Sequence, residues 1–371
     1  LAPVLYNVGI IIGIIWLTPI FGLTGLVMGV LLGALLHLLI QIFPAINSGF
    51  KWHFSFQFNH PVITRAIRLM APRTIGATAF HINLIVITAL ASTLSTGSIA
   101  VFYFANNLQS VPISLIGVSL AIASFAPLSR LSAEKDREGF RESLSFGLQQ
   151  IMFLIIPVSL LMFLLRAHIV RFLLGTGEFG WDATRLTAAA LGVFAFGIVF
   201  YAAIPLLTRS FFSRQDTKTP TVISLVSIGF NIAFAFLFIW LLSFENILKN
   251  TVSYLLDLDG IGDFRIIALP LALILAGGIQ FLLLVWKGKR YVGRRELLSS
   301  LKRISIGSIV LVAVVFGVLQ VTAQIWDLDT FIEVLSQLIG ASALGILSYG
   351  IVMFLLKSPE LNFFIQRFKR G

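Results

Sequence analysis

Long apolar stretches separated by short polar segments repeat along the whole chain. Each stretch comes close to the roughly 20 residues that an α-helix needs to cross a bilayer. A helix satisfies its backbone hydrogen bonds internally, whereas an open strand in lipid does not. The pattern therefore predicts ten membrane-spanning helices, at residues 3–17, 23–43, 71–95, 98–125, 144–165, 185–208, 220–242, 265–286, 304–322 and 332–356.

Composition favours the same class. Hydrophobic residues make up 58% of the 371 residues and charged residues 12%, against roughly 25% charged in a soluble domain. The predicted fold is an all-α, polytopic membrane helical bundle. The sequence contains no cysteine, which excludes disulfides and thiolate metal sites. Because it begins at Leu1 inside an apolar run, we expect further sequence upstream.

Lysine and arginine are concentrated in alternate loops. One set of loops and the C-terminal tail hold 22 of the 27 basic residues, and the other set holds Arg166, Arg171, Arg185, Lys249 and Arg265. Cytoplasmic loops carry an excess of these residues, so the first set and the C-terminus are predicted to be cytoplasmic. Topology and attraction to anionic bilayer lipids then explain the net charge of +11, and no nucleic-acid partner is predicted.

Two of the predicted helices carry polar residues along one face. At 100° per residue, such a face unites Thr74, Thr78, His81, Thr88 and Ser92 in segment 71–95. Segment 98–125 repeats the arrangement with Tyr103, Asn107, Ser110 and Ser114, and Pro112 interrupts its backbone hydrogen bonding.

Polar side chains inside a bilayer face other protein or a water-filled cavity. These faces are therefore candidates for a substrate cavity, to which Arg73 could add a bidentate phosphate contact. Two alternatives stay open. The hydroxyl groups could bond to carbonyls of their own helices, and Arg73 could simply extend to the interface.

Other features are better explained by packing or by solvation. Gly25, Gly29 and Gly33 have the four-residue spacing that lets two membrane helices approach closely.

Asp257 and Asp259 lack further ligands at metal-binding spacing, so no metal or cofactor is predicted. A membrane transferase would need clustered histidines or carboxylates, and the candidates are only His168, Glu178 and Asp182. The chain is not predicted to be an enzyme.

The loop from Arg209 to Pro220 places many polar residues between two apolar stretches. It resembles the loop motif of the MurJ/MviN family of bacterial lipid II flippases, in which an aromatic pair, a small residue and Asp-Thr-x-Thr-Pro recur. The matching positions include Arg214, Asp216, Thr217, Thr219 and Pro220. Further stretches similar to this family are residues 3–7, 70–76, 104–108, 111–112, 115–118, 127–130 and 175–179.

The resemblance implies a flippase of the MOP superfamily, with this chain covering helices five to fourteen. It divides the chain into the last two helices of an N-terminal lobe, a cytoplasmic interfacial linker, a C-terminal six-helix lobe, and two further helices with a basic tail, at residues 1–43, 44–70, 71–286 and 287–371.

The implied substrate is lipid II or a related undecaprenyl-pyrophosphate lipid, moved to the outer leaflet of the bacterial inner membrane by alternating access. The implied partners are bilayer lipids and other cell-wall synthesis proteins. Asn107 departs from the family, since many members carry an arginine in this helix. Two alternatives are an exporter of another lipid-linked oligosaccharide and a structural membrane partner of cell-wall synthesis.

Overall fold

The computed structural model describes residues 2–49, 81–175, 180–324 and 330–368. Within these residues every regular element is a helix, and nine helices are long and apolar enough to cross a membrane. The predicted all-α polytopic class is therefore confirmed. Three of the candidate cavity residues, Arg73, Thr74 and Thr78, lie outside the described residues, as does most of the predicted linker.

The helices are numbered here in chain order. The spanning candidates are α1 (Ala2–Phe21), α2 (Leu23–Asn47), α4 (Ser98–Ala133), α5 (Arg137–Leu164), α7 (Trp181–Phe212), α8 (Lys218–Leu242), α10 (Arg265–Lys287), α11 (Arg294–Ala323) and α12 (Phe331–Leu355). The described part of α3 is His81–Ser92. Shorter helices are α6 (Arg166–Leu174), α9 (Ile247–Leu256) and α13 (Pro359–Phe368).

Several helices continue beyond their apolar segments. Helix α5 begins at Arg137 instead of residue 144, and α11 begins at Arg294 instead of residue 304. Helix α4 continues past residue 125, the predicted end of its apolar segment, and through Pro127. The helix ends after Ala133, where Lys135 adopts a left-handed conformation with φ of 58°. Hydropathy marks the part of a helix that suits lipid, whereas backbone hydrogen bonding continues in water.

The chain divides into two compact units, Leu1–Met70 and Ala71–Gly371. In the first unit, α1 and α2 pack backbone to backbone through buried glycines. A Cβ added to Gly13 would lie 2.4 Å from the Cα of Gly29, and one added to Gly33 would lie 2.4 Å from the carbonyl oxygen of Tyr6. The predicted packing role of the α2 glycines is confirmed, because any larger residue would force the helices apart.

In the second unit, α7 is the central helix and packs against α4, α5, α6 and α10. Much of its buried surface consists of small residues, including the run from Ala188 to Ala190. Helix α12 is tied to α5 by Tyr349, whose hydroxyl donates to the carbonyl of Phe153 at 2.9 Å. Helix α7 therefore runs through the core of this unit.

Candidate functional site

Helices α3 and α4 meet through a polar contact. The hydroxyl oxygens of Thr88 and Tyr103 lie 2.8 Å apart. Thr88 also donates to the carbonyl of Leu84 at 2.8 Å, so Tyr103 must be the donor in the contact between the two side chains. Two of the predicted cavity residues are thereby brought together, each partly buried.

The other described cavity candidates lie on the surface of the second unit. His81, Ser92, Asn107, Ser110 and Ser114 are all exposed. The three on α4 share a side away from the buried face formed by Phe102, Ala105, Gln109 and Pro112. We call the exposed positions Asn107, Ser110 and Ser114 the α4 polar strip. Directly after Pro112 the helix becomes π-helical over Ile113–Val118, so Ser114 lies on a widened turn.

Some hydroxyl groups donate to backbone carbonyls of their own helices, which is the alternative to a role in a substrate cavity. Ser92 donates to the carbonyl of Ala89 and Ser110 to that of Asn107, each at 2.7 Å. Their oxygen lone pairs still accept hydrogen bonds, and the Asn107 amide supplies both donors and an acceptor. The sequence from His81 to Ser129 contains no lysine, arginine or carboxylate. This surface therefore suits neutral polar groups, such as sugar hydroxyls or peptide amides, better than anions.

Two polar contacts between helices were missed by the sequence reasoning. The side-chain amide of Asn231 on α8 donates to the Asn83 carbonyl oxygen on α3 at 2.7 Å, and both residues are buried. Gln280 on α10 donates to Ser224 on α8 at 3.0 Å. Because the partners are far apart in the chain, neither pairing leaves a local pattern in the sequence.

The loop motif places Arg214 among aromatic rings. Its guanidinium carbon lies 3.9 Å from the ring centroid of Tyr291, 4.7 Å from that of Phe211 and 5.7 Å from that of Phe140. Its Nε donates to the carbonyl of Ser210 at 3.0 Å. Arg214 therefore fastens the end of α7 to the start of α5 and to the turn before α11.

The rest of the motif organises the start of α8. Gln215 has a positive φ of 62°, and Asp216 accepts from the backbone N–H of Thr219 at 3.0 Å. Burial works to raise the pKa of Asp216, but hydrogen bonds from Thr219 and the charge of Arg214 hold that pKa below its ordinary value. Thr217 precedes the helix and Pro220 lies buried in its first turn, where a proline sacrifices no useful hydrogen bond.

Histidines and carboxylates are the residue types that a metal or transferase site would need. No group of three or more histidine, cysteine, aspartate or glutamate side chains suited to a metal occurs among the described residues. Of the three transferase candidates, Glu178 lies outside the described residues. His168 Nε2 lies 2.6 Å from Oε1 of Gln337 on α12.

Comparison with known proteins places these features in a family. A family model described as "Lipid II flippase MurJ" matches residues 1–337. A "Probable lipid II flippase MurJ" from Vibrio cholerae is 30% identical over 240 residues, which cover 64% of this chain and 46% of the relative. Its counterpart from Buchnera aphidicola subsp. Acyrthosiphon pisum is 24% identical over 372 residues, covering 98% and 68%.

A solved structure shares the fold. The structure titled "Lipid II flippase MurJ, inward closed conformation" matches with a TM-score of 0.72 at 24% identity, over 96% of this chain and 66% of that chain. The chain spans about half the length of most of the curated relatives that it matches, for example 46% of the Vibrio cholerae protein and 47% of the one from Haemophilus influenzae.

Proposed function

The chain belongs to the MurJ family of lipid II flippases, and from this premise we propose that it moves lipid II or a closely related undecaprenyl-pyrophosphate lipid across the bacterial cytoplasmic membrane. The lysine- and arginine-rich loops and the C-terminus face the cytoplasm in this proposal. No covalent step is involved. The headgroup passes through a hydrophilic cavity by alternating access while the polyprenyl tail stays in the bilayer.

The α4 polar strip is the observation that carries the proposal. Asn107, Ser110 and Ser114 are exposed along a helix whose composition suits a membrane, and polar side chains there need water or protein as neighbours. A sugar–peptide headgroup offers many hydroxyl and amide donors that serine oxygens and the Asn107 amide accept. The strip therefore forms one wall of the passage and contacts the neutral part of the headgroup.

A charged headgroup cannot cross hydrocarbon without such a path. Once a hydrated path exists, the membrane potential favours outward movement of negative charge, by about 2.3 kcal/mol per charge per 100 mV. No carboxylate lies near the middle of any of the ten predicted apolar segments. In this proposal the membrane potential drives the outward movement of the headgroup, and no acidic residue inside the membrane takes part.

Single-cysteine labelling tests this assignment. Because these 371 residues contain no cysteine, an introduced thiol is the only one in this chain. We expect a membrane-impermeant maleimide to label Ser110→Cys and Ser114→Cys readily. The matched controls are Val111→Cys and Leu115→Cys, whose native side chains are 60% and 71% exposed on the same helix. They should label slowly, because lipid suppresses the reactive thiolate.

The substrate is tested with the same labelling reaction, carried out on the variants in lipid vesicles. Added lipid II should slow the labelling of Ser110→Cys, whereas an equal amount of phosphatidylglycerol should not. Equal labelling rates at the strip and control positions would remove the aqueous passage from the proposal. Labelling that lipid II leaves unchanged would remove lipid II as the occupant.

A further inference from the structure

A cavity of about 330 Å³ lies at the end of the second unit opposite to the loop motif, where α5 ends and α7 begins. Its lining includes three guanidinium groups, those of Arg166, Arg171 and Arg185, and one carboxylate, that of Asp257. The described lining therefore carries net positive charge. The volume lies at the lower end of the range for small-ligand cavities, which suits a headgroup-sized anion.

Two of the arginines are held in position through only part of their donor groups. Arg185 Nη2 donates to the backbone carbonyls of Asp257 at 2.5 Å and Asp259 at 3.1 Å. Arg166 Nη1 donates to the carbonyl of Phe163 at 3.0 Å. A guanidinium has five N–H donors, so both side chains are positioned and still have donors for a ligand.

The charge of Arg166 is incompletely compensated. Burial lowers the pKa of its guanidinium below the ordinary value, and Asp257 opposes this effect only in part. A desolvated cation gains from a neighbouring anion more than a solvated one does. Arg171 lines the same cavity, and none of the described carboxylates lies within salt-bridge distance of it.

His168 adds an independent indication of a ligand. The side-chain amide of Gln337 donates to Thr322 Oγ1 at 2.5 Å, which leaves Gln337 Oε1 as the acceptor facing His168 Nε2 at 2.6 Å. Nε2 must therefore carry a proton. In the neutral ring Nδ1 is then an acceptor, and it is buried without a partner among the described residues. A protonated phosphate oxygen would satisfy it, and a protonated ring would donate to an ionised one.

The remaining lining is apolar and lies at the level of the helix ends. It includes Leu164 at the end of α5, Val334 in the first turn of α12, and Trp181 at the start of α7, which is 64% exposed. Tryptophan is typical of the membrane–water interface, which is the level at which lipid phosphates lie. We propose that this cavity binds a phosphate group, and its position favours a membrane-lipid headgroup as the source. This proposal stands independently of the α4 polar strip and of transport.

The test compares two arginine variants of the full chain purified in a phosphate-free neutral detergent. Arg171→Gln removes a cavity guanidinium on which no described hydrogen bond depends. Arg265→Gln is the matched control, since it makes the same charge change at a residue outside the cavity lining that is paired with Asp263 at 2.8 Å. One arm measures retained phosphatidylglycerol against diacylglycerol, which has no phosphate, by native mass spectrometry. The other measures thermal stabilisation by sodium phosphate against sodium chloride at equal ionic strength.

We expect the unmodified chain to retain phosphatidylglycerol in preference to diacylglycerol. Arg171→Gln should weaken phosphate binding about tenfold, because charge-assisted hydrogen bonds are lost, and Arg265→Gln by less than about twofold. Stabilisation by inorganic phosphate would make the free ion a second source, whereas retention of lipid alone assigns the site to headgroups. If Arg171→Gln does not fold, Arg171→Lys serves instead, since it keeps the charge and loses the paired donors.

The proposal is overturned if neither ligand distinguishes the unmodified chain from the Arg171 variant. It is equally overturned if Arg265→Gln weakens binding as much as Arg171→Gln, because general surface charge would then account for the binding. Failure of this test leaves the α4 strip labelling unaffected, so the two proposals are separable.

Discussion

The arginines next to the two ends of α7 have opposite surroundings. At the loop motif, Arg214 has aromatic rings of Tyr291, Phe211 and Phe140 around its guanidinium and Ser210 as a hydrogen-bond acceptor. At the other end, Arg171 borders an open cavity. A guanidinium enclosed by the protein stabilises the fold, whereas one facing a cavity remains available to a ligand. The same substitution should therefore have different effects at the two ends.

The largest expected difference is in stability. Arg214→Gln should lower the free energy of unfolding by about 2–3 kcal/mol, because partly buried cation–π contacts and a charge-assisted hydrogen bond are lost together. Arg171→Gln should lower it by less than about 0.5 kcal/mol, as expected for a side chain with no ion pair to a described carboxylate. Denaturant unfolding of both variants in the same detergent measures the difference.

A double-mutant cycle sharpens this contrast. Combining Arg214→Gln with Tyr291→Leu should reveal a coupling free energy of about 1 kcal/mol or more, since the two groups are in direct contact. Arg214→Lys is the charge-preserving control and should recover only part of the lost stability, because an ammonium is not planar. Equal, small losses for Arg214→Gln and Arg171→Gln would contradict the comparison.

An intermediate loss of stability is expected at Asp216, which accepts a hydrogen bond at the start of α8, next to Arg214. Asp216→Ala should cost about 1 kcal/mol through loss of the hydrogen bond from Thr219. Asp216→Asn should cost less, because an asparagine oxygen still accepts that bond.

The lowered pKa of Asp216 also sets a pH dependence. The charged form contributes stability above the unfolded pKa of about 3.9, and that contribution is lost as pH falls through the lower folded pKa. The stability difference between the unmodified chain and Asp216→Asn should therefore be constant near neutral pH and should shrink below about pH 4. A difference that grows on acidification would contradict this assignment.

The helices could largely be predicted from the sequence. Hydropathy locates the apolar part of every described spanning helix, because the bilayer imposes a minimum length on each. The glycines of α2 are similarly informative, since their spacing reports close packing locally. The ends of α4, α5 and α11 could not be predicted from hydropathy, because these helices continue as polar segments.

Less of the candidate site could be predicted. Periodicity identifies Asn107, Ser110 and Ser114 as one exposed side of α4, but hydrogen bonds between distant residues leave no periodic signal. The Asn83–Asn231 pair is one example. The cationic cavity is a second feature that has no periodic signal in the sequence. Its three arginines belong to the sparse set of five basic residues on the predicted external side, and their closeness in sequence was the available signal.

The smallest expected effect concerns the backbone next to each arginine region. Gln215, beside Arg214, and Asp257, whose carbonyl accepts from Arg185, adopt left-handed conformations with φ of 62° and 56°. Gln215→Gly should raise the free energy of unfolding by about 0.5–1 kcal/mol, because glycine adopts this conformation without steric cost. Asp257→Gly should gain less, since aspartate tolerates the left-handed region better and the substitution removes the carboxylate 3.7 Å from Arg185. Thermal unfolding of the two variants in parallel measures the difference, and a larger gain at Asp257 would indicate that its carboxylate contributes nothing to holding Arg185 at the cavity.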